Sequence, residues 1–291
     1  MKTCTNPYNI RQDLISIIMP AKNAASFIRE AIDSILWQSY DNFELIIVDN
    51  GSTDNTKSII NSFSDKRIKL FDCDGELPAA LNYGIQLSKG KYIARIDADD
   101  IMVPDRLRIQ YSLLEDNPSI DICCSSFYKL VGSHIKRVKT SPSGIIKHPL
   151  VMLLHSNCIS HPTVFMRKDF LYRNELRYQN YIHAEDYKLW VEAAKKSATF
   201  FFESQPLIYY RIHDKQISSI AQQEQMRTAL RIRFEILDFL LPDMSIELQS
   251  LLKECKVLSS KDIIKDDDIL TLFYQILLHD IEKKSGTSEI Y

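Results

Sequence analysis

Residues 91–100 read KYIARIDADD. The stretch through Asp97 is strand-like, and Asp97, Asp99 and Asp100 crowd into its last four positions, with no basic residue following until Arg106. Like charges this close repel one another, so the arrangement needs a reason. Either the acidic end is a solvated loop, the usual fate of carboxylates, or something cationic sits beside it. The order of the elements around it separates the two readings.

Upstream, strand and helix patterns alternate. ISIIMP (15–20) is a β-branched run ended by proline. From Ala24 to Gln38, the residues Phe27, Ile28, Ala31, Ile32, Ile35 and Leu36 recur at helical spacing, with Asn23 placed to cap the helix. FELIIV (43–48) is a buried-type strand followed by the turn-rich DNGSTDNT, where Ser52 or Asp54 can cap a helix running to about Phe63. RIKLFD (67–72) predicts a strand, and ELPAALNYGIQLSKG (76–90) a helix with Pro78 in its first turn and Gly90 just past its end. Strand–helix repeats of this length make βαβ units and a mostly parallel sheet. DNGSTD (49–54) and DADD (97–100) both follow strands, so both fall at the carboxyl-terminal edge of that sheet. Open α/β sheets bind their ligands in the crevice there. Two acidic loops converging on one crevice favour a site over two solvated loops.

Downstream the pattern is less regular. Pro104 opens a helix to about Glu115, IDICCSSF (120–127) is a strand, and 128–148 is a polar excursion. HPTVFMR (161–167) predicts a strand leaving a turn. AEDYKLWVEAAKKS (184–197) predicts a helix with Glu185 and Asp186 in its first turn, and FFFE and LIYYRIH (207–213) predict two strands. Beyond about Ile217, segments 221–240 and 268–284 show helical apolar periodicity. The expected organisation is one domain over 1–216, its first half about 14–105 and its second about 106–216, with a helical appendage over 217–291. The motifs end before the appendage, which places its helices in burial or partnering and outside the chemistry.

Composition sets limits. With 291 residues, 45% hydrophobic and 25% charged, the chain has ordinary globular usage. A formal net charge of −2 offers no basic field for nucleic acid. Six scattered cysteines without a CxxC pair suit reduced thiols better than disulfides or zinc. No apolar run approaches the ~18–20 residues of a membrane span. MKTCTNPYNIRQD lacks the apolar stretch of a signal peptide, so the expectation is a soluble cytoplasmic protein. The seven glycines form neither GxGxxG nor a P-loop, and GxSxG is absent. What remains is a set of hard oxygen ligands without thiolates, suited to Mg2+ or Mn2+ shared with substrate phosphates.

Six motifs then occur in order: SIIMPAKN, VDNGSTDNT, KYIARIDADDIMVPDRL, HPTVFMRKD, HAEDYKLW and LIYYRIHDKQIS. Together they resemble the family 2 glycosyltransferases over about residues 14–220. The resemblance implies the GT-A fold, a Rossmann-like mostly parallel sheet flanked by helices. It also implies an inverting, metal-dependent transfer from a nucleotide-diphosphate sugar, of the type that builds bacterial surface polysaccharides. By position, Pro20, Lys22 and Asn23 would lie under the base and ribose, and Asp49 and Asn50 would contact the nucleoside. Asp97 and Asp99 match the DxD motif, with Asp99 the principal metal ligand and Asp97 nearer the ribose and the metal's waters. His213 would contribute to the metal–diphosphate site. Glu185-Asp186 matches the acidic motif that supplies the catalytic base, Asp186 as the base and Glu185 in support. Many relatives have an aromatic where Lys22 stands and a second aspartate where Asn50 stands. UDP is the family's default nucleotide, and these departures leave dTDP and GDP open.

Other residues have plainer readings. Asp54 reads as a helix cap, while Asp100 either coordinates or anchors its loop. His161 is either structural or part of the site. Tyr187 and Trp190 read as packing, an acceptor pocket being the alternative for Trp190. The mixed charge of the appendage favours core or a homodimer interface over peripheral contact with the inner face of a membrane. The implied acceptor is a saccharide or lipid-linked saccharide. The rival function is a non-catalytic nucleotide-sugar-binding or assembly subunit, and the Glu-Asp pair argues against it, because a binder needs no base.

Overall fold

The computed structural model describes residues 13–214, 216, 221–240, 242, 244, 246–259 and 265–285. The reading of the amino-terminal MKTCTNPYNIRQ and the division near Ile217 lie outside the described residues.

Along strand β1 (Ile15–Ala21), Ile15, Ile17 and Met19 join one apolar cluster and Ile18 the other. A strand buried on both faces belongs in the middle of a sheet. β1 lies between β2 (Phe43–Asp49) and β4 (Tyr92–Arg95), and β3 (Ile68–Asp72) continues beyond β2, all parallel in the order β3-β2-β1-β4. The chain returns across β1 after β3, so the loops following β1, β2 and β4 open at one sheet edge, beside the switch in strand order. Helix α1 (Ile28–Leu36) buries Ile28, Ala31, Ile32 and Ile35, a one-sided stripe, against one face. Helix α3 (Leu77–Leu87) lays Ala80, Leu81 and Ile85 against the other, and α2 (Thr56–Asn61) links β2 to β3.

The parallel order stops at β4. Strand β9 (Phe165–Arg167) joins β4 and β6 (Ile122–Val131) antiparallel to both, and β10 (Phe200–Ile212) runs parallel to β6. Short β5 (Ile101–Met102), β7 (His134–Arg137) and β8 (Gly144–Ile145) add antiparallel pairs. The sheet is therefore mixed: wholly parallel in its first half, and with the parallel β6–β10 pair among antiparallel neighbours in its second. Helices α4 (Arg106–Asp116), α5 (Pro149–His155), α6 (Lys168–Arg173) and α7 (Glu185–Lys195) complete this region.

Several local expectations are corrected. Asn23 does not cap α1: it holds a left-handed φ of 52°, and its Oδ1 accepts the Thr53 N–H at 2.8 Å. HPT at 161–163 is a 3-10 turn, and only Phe165–Arg167 is strand. FFFE and LIYYRIH form one strand rather than two, with register shifts on either side of Pro206, between Glu203 and Pro206 and between Pro206 and Tyr209.

The appendage comprises α8 (Gln222–Leu240), α9 (Ile246–Ser259) and α10 (Asp266–Ser285). Ile232, Ile236, Leu252, Leu270 and Phe273 sit in the same apolar cluster as Leu153, Leu154 and Trp190. The appendage thus shares one core with α5 and α7. None of the described helices is long and apolar enough to cross a membrane.

At the opposite sheet edge, a buried polar knot fixes the entry to β4. Ser16 Oγ donates to Glu44 at 2.6 Å and accepts the Gly90 N–H at 2.8 Å. A Cβ on Gly90 would lie 2.5 Å from Ser16 N and 2.7 Å from Leu14 O, both backbone atoms that cannot yield cheaply. Gly90→Ala is expected to cost about 1–3 kcal/mol, read as a lower urea midpoint at unchanged slope. An unchanged midpoint would show that this corner is loosely packed.

Candidate active site

β4 ends at Arg95, and the chain turns immediately into Asp97, Asp99 and Asp100, whose carboxylate oxygens lie within 4.8 Å of one another. The turn is held from below. Arg106, fully buried on α4, donates from Nη2 to the carbonyls of Arg95 at 2.8 Å and Val164 at 3.1 Å. The Arg95 guanidinium, itself 3% exposed, forks onto both oxygens of Asp97, a bidentate geometry that fixes the carboxylate's plane. Asp99 is bonded to His213 Nε2 at 2.9 Å. The His213 ring stacks on Phe27 with centroids 4.8 Å apart, and Arg211 lies over the same ring. Arg211 also donates from Nε to the Asp99 carbonyl at 2.8 Å, tying β10 to the acidic turn.

Asp100 is fully buried. Its Oδ1 accepts the Arg211 N–H at 2.8 Å, whereas its Oδ2 has no hydrogen-bond partner among the described residues. Burial, followed by the adjacent Asp97 and Asp99, pushes its pKa well above the usual carboxylate range. Anchoring of the loop is visible in the geometry, and the spare oxygen leaves a coordinating role open. An all-oxygen cluster with an orphaned buried oxygen and an adjacent imidazole fits a hard divalent cation.

Asp97 and Asp99 line a cleft of about 1070 Å³ that Glu185 and Asp186 also line. This pair opens α7, where the helix N-terminus favours anions. Asp186 Oδ2 accepts from Asn157 Nδ2 at 3.1 Å and Oδ1 from the Tyr187 N–H at 2.6 Å. Burial raises the Asp186 pKa. Glu185 is 8% exposed, and burial, then its neighbour Asp186, push it up to about 7.

That shift has a stability consequence. An acid whose pKa is raised from 4.5 on folding binds its proton more tightly when folded, so stability falls as pH climbs from about 4.5 to about 7. Glu185→Gln is expected to remove the cost, roughly 3 kcal/mol at pH 8, and to change little at pH 4. Denaturant midpoints of the two chains at both pH values check this; equal midpoints at pH 8 would place the charged carboxylate in water.

Among the expected donor contacts, Pro20, Lys22, Asn23 and Asn50 line the cleft. Asp49 does not: it is 1% exposed, its Oδ2 accepts the Ser52 N–H at 3.0 Å, and its Oδ1 has no partner among the described residues. It stands behind the wall as a turn-former. Asp54 likewise holds its turn, accepting the Thr56 N–H at 2.9 Å. His161 lines the cleft with Nε2 2.7 Å from the Tyr178 hydroxyl, and burial holds it well below the usual histidine range, hence neutral. Trp190 and Tyr187 are core.

Sequence reasoning missed Arg95, Arg211, Phe27 and Asn157. Arg95 and Arg211 were within reach, each standing two residues before a candidate (Asp97, His213) at the end of a strand that leads into it. Asn157 carries no local signal.

The glycosyl transferase family 2 pattern matches residues 16–175. The chain belongs to that family. An uncharacterized glycosyltransferase of Haemophilus influenzae is 30% identical over 96% of this chain and 90% of its own length. O-antigen biosynthesis glycosyltransferase WbnJ of Escherichia coli is 32% identical over 75% of this chain and 88% of its own length. Among solved structures, S. aureus TarS in complex with UDP-GlcNAc superposes with a TM-score of 0.64 at 20% identity, over 77% of this chain and 66% of that one. At that identity the likeness speaks for the fold, which is GT-A with a helical carboxyl-terminal region. This family 2 chain is a glycosyltransferase.

Proposed function

We propose that the chain transfers a sugar from a nucleotide-diphosphate donor, a UDP-sugar first, to a hydroxyl of a saccharide or lipid-linked saccharide in bacterial surface-polysaccharide assembly, with inversion. The observation that carries this is the sharing of one cleft by the acidic cluster of the β4 end and the Glu185-Asp186 pair of α7. The UDP-GlcNAc bound to TarS supports the donor class, and the O-antigen role printed for the E. coli relative supports the acceptor class.

On this reading residues 14–105 hold the donor and 106–216 the acceptor, with 217–291 appended as a further layer on the cytoplasmic side of the membrane. Pro20, Lys22, Asn23 and Asn50 form the nucleoside pocket, with Asp49 supporting it from behind. Asp97, Asp99 and His213 would hold Mn2+ or Mg2+, which when bound would supply positive charge against the diphosphate. Arg95 keeps Asp97 oriented. The acceptor oxygen attacks the anomeric carbon from the face opposite the diphosphate. Its proton passes to Asp186, the bond to the nucleotide diphosphate breaks, and that group leaves with the bonding electrons. Glu185 supports Asp186.

Incubation with a panel of UDP-, dTDP- and GDP-sugars and Mn2+, with alkyl glycosides as acceptors, tests the reading through nucleotide release. Release with one donor class is expected. Tight nucleotide binding without any release would return the rival, a non-catalytic binding subunit.

A further inference from the structure

The appendage does not stand apart from the cleft. Gln225, in the first turns of α8, lines it and donates from Nε2 to the His183 carbonyl at 2.9 Å. His183 holds a left-handed φ of 59° two residues before Glu185, an uncommon conformation that a non-glycine residue adopts mostly at turns. Further along α8, Glu235 accepts the Tyr181 hydroxyl at 2.9 Å on Oε1 and Lys188 Nζ at 2.5 Å on Oε2. Tyr181 lines the cleft. Lys188 sits on α7 one turn after Glu185, and it is 6% exposed, so its ammonium depends on Glu235 and on Glu192 at 2.8 Å. Arg231 adds a bond to Glu235 at 3.2 Å and lies 4.8 Å from the Tyr181 ring centroid. One carboxylate of the appendage therefore grips both a side chain of the cleft wall and the helix that carries Asp186.

We propose that α8 is a working wall of the active site and that Glu235 is a positioning residue, acting through Tyr181 and Lys188 to hold the acceptor side of the cleft and the first turn of α7. The proposal rests on the acceptor-side role given to Asp186 above. Loss of the Glu235 charge leaves the buried Lys188 ammonium with one carboxylate, and loss of the whole side chain leaves the Tyr181 hydroxyl only a 3.4 Å bond from Arg231 Nη2. The nucleoside pocket lies on the loops after β1 and β2, which Glu235 does not touch. Turnover should therefore suffer while donor binding does not.

The test compares Glu235→Ala and Glu235→Gln in the full chain. The glutamine variant keeps the shape and an oxygen for Tyr181, and removes the charge facing Lys188. Asp238→Ala is the control, since it breaks the exposed Asp238–Lys256 pair between α8 and α9. Nucleotide release with Mn2+ gives kcat and donor KM, water serving as acceptor where no glycoside does, and calorimetry gives UDP–Mn2+ affinity. The expected result is a kcat lowered about tenfold to a hundredfold (~10–10²) in Glu235→Ala and less in Glu235→Gln. Donor KM and UDP affinity should be unchanged, and the control should behave as the parent. Unchanged kcat in both Glu235 variants overturns the proposal. So does an equal loss of UDP affinity, or the same loss in Asp238→Ala, since either marks general loosening of the fold. If the alanine variant fails to fold, the isosteric glutamine variant decides. A parent chain that binds UDP but releases no nucleotide from any donor overturns the enzymatic reading itself, and this proposal falls with it.

Discussion

Asp186→Asn is expected to bind UDP and Mn2+ like the parent chain and to turn over at least a hundredfold (~10²) more slowly. In a displacement at the anomeric carbon, the acceptor hydroxyl is a poor nucleophile until its proton begins to leave. A carboxylate within ~2.6–3.2 Å of that hydroxyl takes the proton as the bond forms, an effect worth about 10²–10⁴ in rate or roughly 3–5 kcal/mol of barrier. Asp186 meets the structural conditions. It lines the cleft, its oxygens are held by Asn157 and the Tyr187 N–H, and burial raises its pKa toward the working range of a base. Asparagine keeps the size and one acceptor oxygen but cannot take the proton. Glu185 is the competitor, because a carboxyl pushed up to about 7 also suits a base. The two are separated by measuring Glu185→Gln in parallel, which is expected to lose much less. If the losses are reversed, the roles of the pair are exchanged. If Asp186→Asn loses UDP affinity instead, the residue belongs to the donor site, and near-normal transfer ends its claim to be the base.

The parts of the fold legible in the sequence are those fixed by local pattern. The Ile15–Ala21 and Phe43–Asp49 runs, buried on both faces, announce interior parallel strands, and Pro78 and Gly90 bracket α3. Asp97 and Asp99 were legible because the turn after a parallel strand is a ligand-facing place by topology alone. What escaped is set by contacts distant in sequence. Residues 150–154 (LVMLL) carry no helical signal of their own and form α5 because Leu153 and Leu154 pack into the cluster shared with α7 and α8, a partner that periodicity cannot reveal. His161 left the strand pattern because its 3-10 turn meets Tyr178, 17 residues on. Asp49 was placed at the nucleoside by position, and what position could not show is that its Oδ2 accepts the Ser52 N–H while the side chain is buried. The motif order sets the appendage apart from the site, and what it could not show is that Gln225 of α8 lines the same cleft.

Asp99→Ala is expected to abolish most of the metal-dependent gain in nucleotide affinity and to lower turnover by about a hundredfold or more. The argument is electrostatic. A diphosphate approaching Asp97 and Asp99 meets like charge, and Arg95 compensates only Asp97, on which both arms of its guanidinium are spent. Asp100 is buried behind the turn and can offer one free oxygen. Asp99 is the carboxylate that both lines the cleft and shares its oxygen with His213, so it stands between the acidic turn and β10. On the proposed reading its removal takes away a ligand and the bond that aims the His213 imidazole at the acidic turn. Two titrations of UDP check the claim, one in Mn2+ and one in EDTA, for the parent chain and for Asp99→Ala. The parent chain should bind UDP at least tenfold (~10) more tightly in Mn2+, and the variant should show nearly equal affinities in both buffers. Equal affinities for the parent chain would mean that the diphosphate is held without a cation, which would hand the charge balance to Lys22 on the cleft wall. A variant that keeps the full Mn2+ effect would instead move the metal onto Asp97 and Asp100.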